Sequence, residues 1–273
     1  MGRIAVLQHA MEDSVEANLA TGLRLMAKAA ADGASLAVFP EIHLSPFFPK
    51  HRAAPDADPA QRYAMAPDHP ALQAISDAAR DHGLVTVANI YMERGGQRYD
   101  ASPVFDADGA LLGVSEMVHV AQFEGFWEKD YYAHGEGFRV YDTAAGRVGV
   151  VICYDRHFAE SWRACALAGA EIIATPACNL AHETLDLFAS EIAVMAMQNS
   201  VYAAMSNRCG VEDGVRYAGH SVIAGPDGRV LARAGEAEEV LMADYDLAAR
   251  QARAETAGWL DELRDWLKPA RGV

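Results

Sequence analysis

RVGVVICYDRHFAE, residues 147–160, is a short run of small and β-branched residues that stops at a cysteine and turns abruptly polar. Val148 to Ile152 read as a buried strand, and the segment from about His157 to Ala168 reads as a helix. Cys153 therefore sits where a strand hands over to a turn. Backbone N–H groups of the next turn point close to such a thiol, an arrangement that lowers a thiol pKa and stabilises an oxyanion. A free cysteine at a strand end is as often a plain core residue. Taken alone, the stretch leaves both readings open.

Outward from it, strand-like and helix-like segments alternate along the chain. Strands are expected at 3–9, 35–41, 84–92 and 171–176, with a further strand-like run at 201–207. Helices are expected at 13–32, with apolar positions Val15, Leu19, Leu23 and Met26 and an end at Gly33, and at 70–82, 184–199 and 247–267. Hairpins are expected to turn at Asp108-Gly109, near Gly146, and at Pro226-Asp227-Gly228. So many hairpins among the helices argue against a purely parallel sheet. A mixed sheet, or two stacked sheets covered by helices, fits better. No linker, repeat or low-complexity stretch divides the chain, and residues 1–273 are read as a single domain.

Composition narrows the function classes. The 273 residues are 51% hydrophobic and 22% charged, enough apolar material for a sizeable core. The net charge of −15 would repel a phosphate backbone, so no nucleic-acid partner is expected. No apolar run reaches the roughly 18 residues of a membrane span, and the first residues lack the apolar core of a signal peptide. A cytoplasmic location with no membrane partner is the expectation. Cys153, Cys165, Cys178 and Cys209 form no CxxC pair, and the ten histidines form no HxH or HExxH group. Neither a metal nor an organic cofactor is expected.

Two more segments carry candidate chemistry. Glu41, in FPEIHLSPFFP, lies just past a buried strand, where α/β folds tend to bind ligands; it also suits a solvated loop acid. Glu128, in EMVHVAQFEGFWEKDYY, belongs to a segment that reads equally as a pocket wall or a surface loop.

Together, FPE at 39–41, GVVICYDRHFAES around Cys153, EIIATPACN at 171–179 and AMQNSVYAAMSNRCG at 196–210 resemble the nitrilase superfamily of carbon–nitrogen hydrolases, in order and over nearly the whole chain. The resemblance implies a four-layer α-β-β-α sandwich assembled as a homodimer or larger homo-oligomer. It implies Cys153 as nucleophile, Glu41 as the base that takes the thiol proton and returns it to the leaving amine, and Glu128 as a supporting carboxylate. The backbone N–H of Tyr154 would be one oxyanion donor. An amide-type carbon would be attacked to give a thioester, which water then hydrolyses.

One member of the family site has no match. The family places a lysine shortly before a His-aliphatic pair; here GVSEMVHV puts Met117 in that slot, or Glu116 if the register shifts by one. The chain has four lysines in all, Lys28, Lys50, Lys129 and Lys268, and Lys50, just beyond the Glu41 loop, is the best placed of them to substitute. Arg156, His119 or His157 could also supply the charge. Losing one oxyanion donor typically costs roughly 10²–10³ in rate. Glu116 in the slot would add a carboxylate to two others and oppose thiolate formation; Met117 would remove only the cation.

CYDRHFAE resembles the branch acting on N-carbamoyl compounds and small amides. Arg156 either pairs with a substrate carboxylate or answers a structural acid such as Asp155 or Glu160. The expected activity is hydrolysis of a small amide or N-carbamoyl compound. The competing reading is a catalytically impaired or non-catalytic scaffold of the same fold.

Overall fold

The computed structural model describes residues 1–54 and 58–266. Two sheets form its centre. In the first, the strands run in the order Glu239–Tyr245, Gly2–Gln8, Leu36–Val38, Val85–Val87, Gln97–Phe105, Ile90–Arg94, and Leu111–Glu116 also pairs with Gln97–Phe105. In the second the order is Val230–Arg233, Val222–Ala224, Tyr202–Asn207, Ile172–Ala177, Gly146–Val150, Val140–Thr143. Each sheet has three adjacent parallel strands flanked by antiparallel ones. The mixed architecture expected from the hairpins is therefore present.

Strand alternation explains the layering. Ile4 and Val6 join Val148, Val150, Ile172, Ala174 and Ile223 in a core between the sheets. Their neighbours Ala5 and Leu7 point the other way, against Leu25, Met26, Leu72 and Ile75 of the helices Val15–Ala31 and Pro70–His82. On the second sheet, Ile173, Ala203 and Met205 pack against Trp162, Cys165 and Ile192 of the helices Ala159–Leu167 and Leu185–Asn199. Period-two residues on both sides of each sheet thus give the order α-β-β-α.

Several elements differ from the sequence expectation, each for a local reason. The run 84–92 is two strands, Val85–Val87 and Ile90–Arg94, because Asn89 leaves the ladder to bond three groups with its side chain. The first helix buries Asn18, Gly22, Leu25, Met26 and Ala29, whereas Val15, Leu19 and Leu23 are only half-buried. Gly22 is on that face because a Cβ there would lie 2.9 Å from the Phe39 ring. The polypeptide after Cys153 is first a 3₁₀ turn, Cys153–His157, and only then the helix Ala159–Leu167. A small hairpin, Cys209–Glu212 with Val215–Ala218, was not expected. The C-terminal helix is broken by Gly258, at φ +69°, into Leu247–Ala257 and Trp259–Trp266; residue 267, its expected end, lies outside the described residues.

Candidate active site

Parallel strands from both sheets end at the same place. Leu36–Val38 leads to Glu41, Gly146–Val150 to Cys153, Ile172–Ala177 to Cys178 and Asn179, and Tyr202–Asn207 to Arg208. Carboxyl ends of parallel strands are where this class of fold concentrates its chemistry. Two non-glycine residues here adopt left-handed backbone, Cys153 at φ +37° and Ile42 at φ +35°. Such conformations cost on the order of 1–3 kcal/mol each and gather at functional sites.

Cys153 is 4% exposed and lines a narrow cleft with Ala121, Phe126, Glu128, Tyr154 and Asn179. Burial pushes its thiol well above the ordinary range, the Glu41 carboxylate adds to that, and Arg156 opposes both. Arg156 Nη1 lies 3.7 Å from Cys153 Sγ and donates to the Cys153 carbonyl at 3.1 Å. Its Nη2 donates to Asn179 Oδ1 at 2.7 Å, and its Nε is 3.4 Å from Glu191. The structural acid that answers Arg156 is therefore Glu191, on the helix Leu185–Asn199, in place of Asp155 or Glu160.

Asp155 has a different task. Its carboxylate accepts from the Val118 N–H (3.1 Å) and the His119 N–H (2.7 Å) and pairs with His119 Nδ1 at 2.7 Å. It fastens the segment containing Met117 to the turn that carries the thiol. In that segment Met117 is fully buried, within the same apolar cluster as Cys153, Phe126 and Tyr132, while Glu116 turns away to pair with Arg94. The residue facing inward at the lysine slot is thus apolar. Among the described residues, no lysine replaces the missing one. Lys50 donates to the Glu212 carbonyl at 2.8 Å, Lys28 pairs with Asp32 on the surface, Lys129 is exposed, and Lys268 lies outside the described residues. The cation beside the thiol is Arg156.

Glu41 and Glu128 are both fully buried. Neither Glu41 oxygen, nor Glu128 Oε1, has a hydrogen-bonded donor among the described residues. Burial, then the Asp100 and Glu128 carboxylates, hold the Glu41 carboxyl well above its usual range, while the neighbouring Cys153 thiol pulls the other way. Glu128, whose other oxygen accepts from the Ala121 N–H at 2.9 Å, is pushed up to about 8, chiefly by burial.

Asp100 is a third buried carboxyl in this group, and sequence reading did not single it out. It lies on the strand Gln97–Phe105, accepts from Asn89 Nδ2 at 2.6 Å, and is pushed up to about 6 by burial. An acid inside the hairpin strand YDASPVF was its one sequence signal. Arg208 was inside a quoted motif but carried no assigned role. It is fully buried, grips Glu212 with Nη1 at 2.7 and 2.9 Å, and donates from Nη2 to the carbonyls of Glu41 (2.7 Å), Ile42 (3.2 Å) and Ser45 (3.3 Å). It shapes the loop that presents Glu41. Asn179 reaches the cleft through Arg156, whereas His182 is exposed. Among the described residues no group of three His, Cys, Asp or Glu is placed to hold a metal ion, and no helix is long and apolar enough to cross a membrane.

Comparison with known proteins agrees with this geometry. A family model described as carbon-nitrogen hydrolase matches residues 3–255. The N-carbamoylputrescine amidase of Solanum lycopersicum is 31% identical, with 94% of this chain and 89% of the relative covered. The citrullinase of Francisella tularensis is 29% identical over 91% of this chain and 90% of its own. Among solved structures, a carbon-nitrogen hydrolase from Helicobacter pylori superposes with a TM-score of 0.86 at 26% identity, covering 98% of each chain. An amidase variant from Nesterenkonia sp. AN1, in which acrylamide has added to the active-site cysteine, superposes with a TM-score of 0.79 at 27% identity, covering 98% of this chain and 100% of that one.

Proposed function

Because the chain belongs to the nitrilase superfamily of carbon–nitrogen hydrolases, we propose that it hydrolyses a non-peptide C–N bond through a thioester on Cys153, the substrate class being a small amide or N-carbamoyl compound. The observation that carries the reading is the pairing of Cys153, in left-handed backbone at a strand end, with a fully buried Glu41 carboxyl beside the thiol, neither of whose oxygens has a hydrogen-bonded donor among the described residues.

Glu41 takes the thiol proton as Arg156 stabilises the thiolate. The sulfur attacks the carbonyl carbon, and the Tyr154 N–H receives the developing oxyanion. Glu41 returns the proton to the leaving nitrogen, the C–N bond breaks, and an acyl thioester remains. Glu41 then draws a proton from water, whose oxygen displaces the sulfur. Glu128 keeps the Ala121–Glu128 loop closed around the cleft through its bond to the Ala121 N–H.

The test has two stages. Iodoacetamide alkylation of the native protein, followed by peptide mapping, is expected to label Cys153 faster than Cys165, Cys178 and Cys209, all of which are buried. A screen of small amides and N-carbamoyl compounds by ammonia release should then give turnover that Cys153→Ala abolishes. Equal slow labelling of all four thiols together with no turnover would move the reading to a non-catalytic scaffold. That second reading draws its support from the apolar Met117 at the lysine slot.

A further inference from the structure

The charge around the thiol is lopsided. On one side stands Arg156, held by Asn179, Glu191 and the Cys153 carbonyl. On the other stand Glu41, Asp100 and Glu128, all fully buried, with both Glu41 oxygens, Asp100 Oδ2 and Glu128 Oε1 lacking a hydrogen-bonded donor among the described residues. Met117 supplies no charge to that side. Arg208, the guanidinium behind Glu41, has its donors on Glu212 and on backbone carbonyls.

An oxyanion here would have the Tyr154 N–H but, among the described residues, no cation on this side, where Glu41 and Glu128 hold their protons for want of a counter-charge. The chamber is well suited to an electrophile that carries N–H donors and positive charge of its own. Resting on the reading of Cys153 as nucleophile, we propose that the substrate is a cationic amidine or guanidine, whose amidinium N–H groups occupy the unpartnered oxygens of Glu41 and Glu128, with the buried Asp100 carboxyl behind them. The substrate cation takes the place left by the lysine.

The chemistry balances without an oxyanion at any point. The Cys153 thiolate attacks the amidinium carbon, the C–S bond forms, and the C=N electrons pass to nitrogen to give a neutral tetrahedral adduct. Glu41 returns the thiol proton to one nitrogen, ammonia leaves as that C–N bond breaks, and the second nitrogen's lone pair restores C=N⁺ in a cationic thioimidate. Water attacks that carbon and gives a proton to Glu41. The C–S bond breaks, the hydroxyl proton of the product passes to the departing sulfur, and Glu41's proton leaves with the ammonia. The sum is amidinium plus water giving amide plus ammonium. A guanidinium gives the corresponding urea. Carboxylate–amidinium contacts are charge-assisted and bidentate, which makes them strong as well as orienting.

The test compares 2-chloroacetamidine with 2-chloroacetamide, two alkylating agents of one shape that differ in charge. Their labelling rates at Cys153 in the native protein are divided by their rates with free glutathione, which removes intrinsic reactivity. The amidine is expected to label Cys153 about 10–100-fold faster than the amide on this corrected scale, the range set by one or two charge-assisted hydrogen bonds. Asp100→Asn, nearly isosteric, should cut that preference severalfold, and Met117→Lys should reverse it. Acetamidine should release ammonia faster than acetamide, and Cys153→Ala should stop it. A corrected ratio near one, with Cys153 still the fastest thiol, would overturn the proposal and leave the amidase reading standing. Slow labelling of Cys153 by both reagents, no faster than the other three thiols, would remove both. Should Met117→Lys fail to fold, Asp100→Asn and the wild-type ratio decide the matter.

Discussion

Arg156→Gln removes the cation that touches the thiol. A full charge pair at the 3.7 Å between Nη1 and Sγ is worth about 4–5 kcal/mol at an effective dielectric near 20. Glu191, 3.4 Å from Nε, and the carboxyls near the thiol take back part of this, leaving about 2 kcal/mol of thiolate stabilisation to be lost with the charge. At pH 8 the thiolate fraction then falls by about 30-fold, while the more basic thiolate is a better nucleophile, so alkylation slows by about tenfold overall. The glutamine amide can still donate to Asn179, and Glu191 keeps His157 at 2.8 Å, so the fold should survive, as a melting curve can check. Rates of iodoacetamide labelling at Cys153 across pH, read by peptide mass, give the measurement. Arg156→Lys, which keeps the charge, should stay within a few-fold of wild type. An unchanged pH profile in Arg156→Gln, with the fold intact, would refute the assignment of Arg156 as the thiolate's counter-charge.

Stability should fall as pH rises. Glu128, held near 8 when folded against about 4.5 unfolded, binds its proton more tightly in the native state; the stabilisation is complete below about pH 4.5 and lost as pH passes through 8. Asp100, raised to about 6, acts in the same direction, and Glu128→Gln should flatten the urea midpoint between pH 6 and 9 by removing a contribution of a few kcal/mol. Arg208→Leu should cost about 3–5 kcal/mol, because it strands the buried Glu212 carboxylate and frees three carbonyls of the Glu41 loop; a drop in melting temperature of about 10 °C is expected. Gly22→Ala should destabilise by about 1–3 kcal/mol despite the better helix propensity of alanine, since its Cβ would meet Phe39 at 2.9 Å; equal or higher stability in denaturant would show that the ring can yield.

Much of the layout was legible before any coordinates. The helix Pro70–His82 runs between the residues that its proline start and glycine stop indicate, and its Gly83 cap adopts φ +61°. The hairpin at Asp108-Gly109 closes through a bond from the Gly109 N–H to the Asp106 carbonyl. These features depend on a few adjacent residues, so local chemistry suffices to specify them. The first helix was harder. Its half-buried leucines satisfied the apolar period, but the face in contact is decided by Asn18, which bonds the Glu12 backbone, and by Gly22, which admits Phe39.

The same division holds at the site. Chain order and motif alone singled out Glu41, Glu128 and Cys153, because each is tied to a recognisable strand end or loop. The choice between Glu116 and Met117 needed the tertiary structure. Neighbours on an extended chain point to opposite faces, and a one-residue uncertainty in register exchanges them. The bond from the Met117 N–H to the Asp100 carbonyl, the Arg94 partner of Glu116, and the Asp155 clasp on Val118 and His119 settle which one turns inward. Distance in sequence also hides Asp100 from Glu41 and Arg156 from Asn179. Charges interact through space and local dielectric, which only the packing of the two sheets decides.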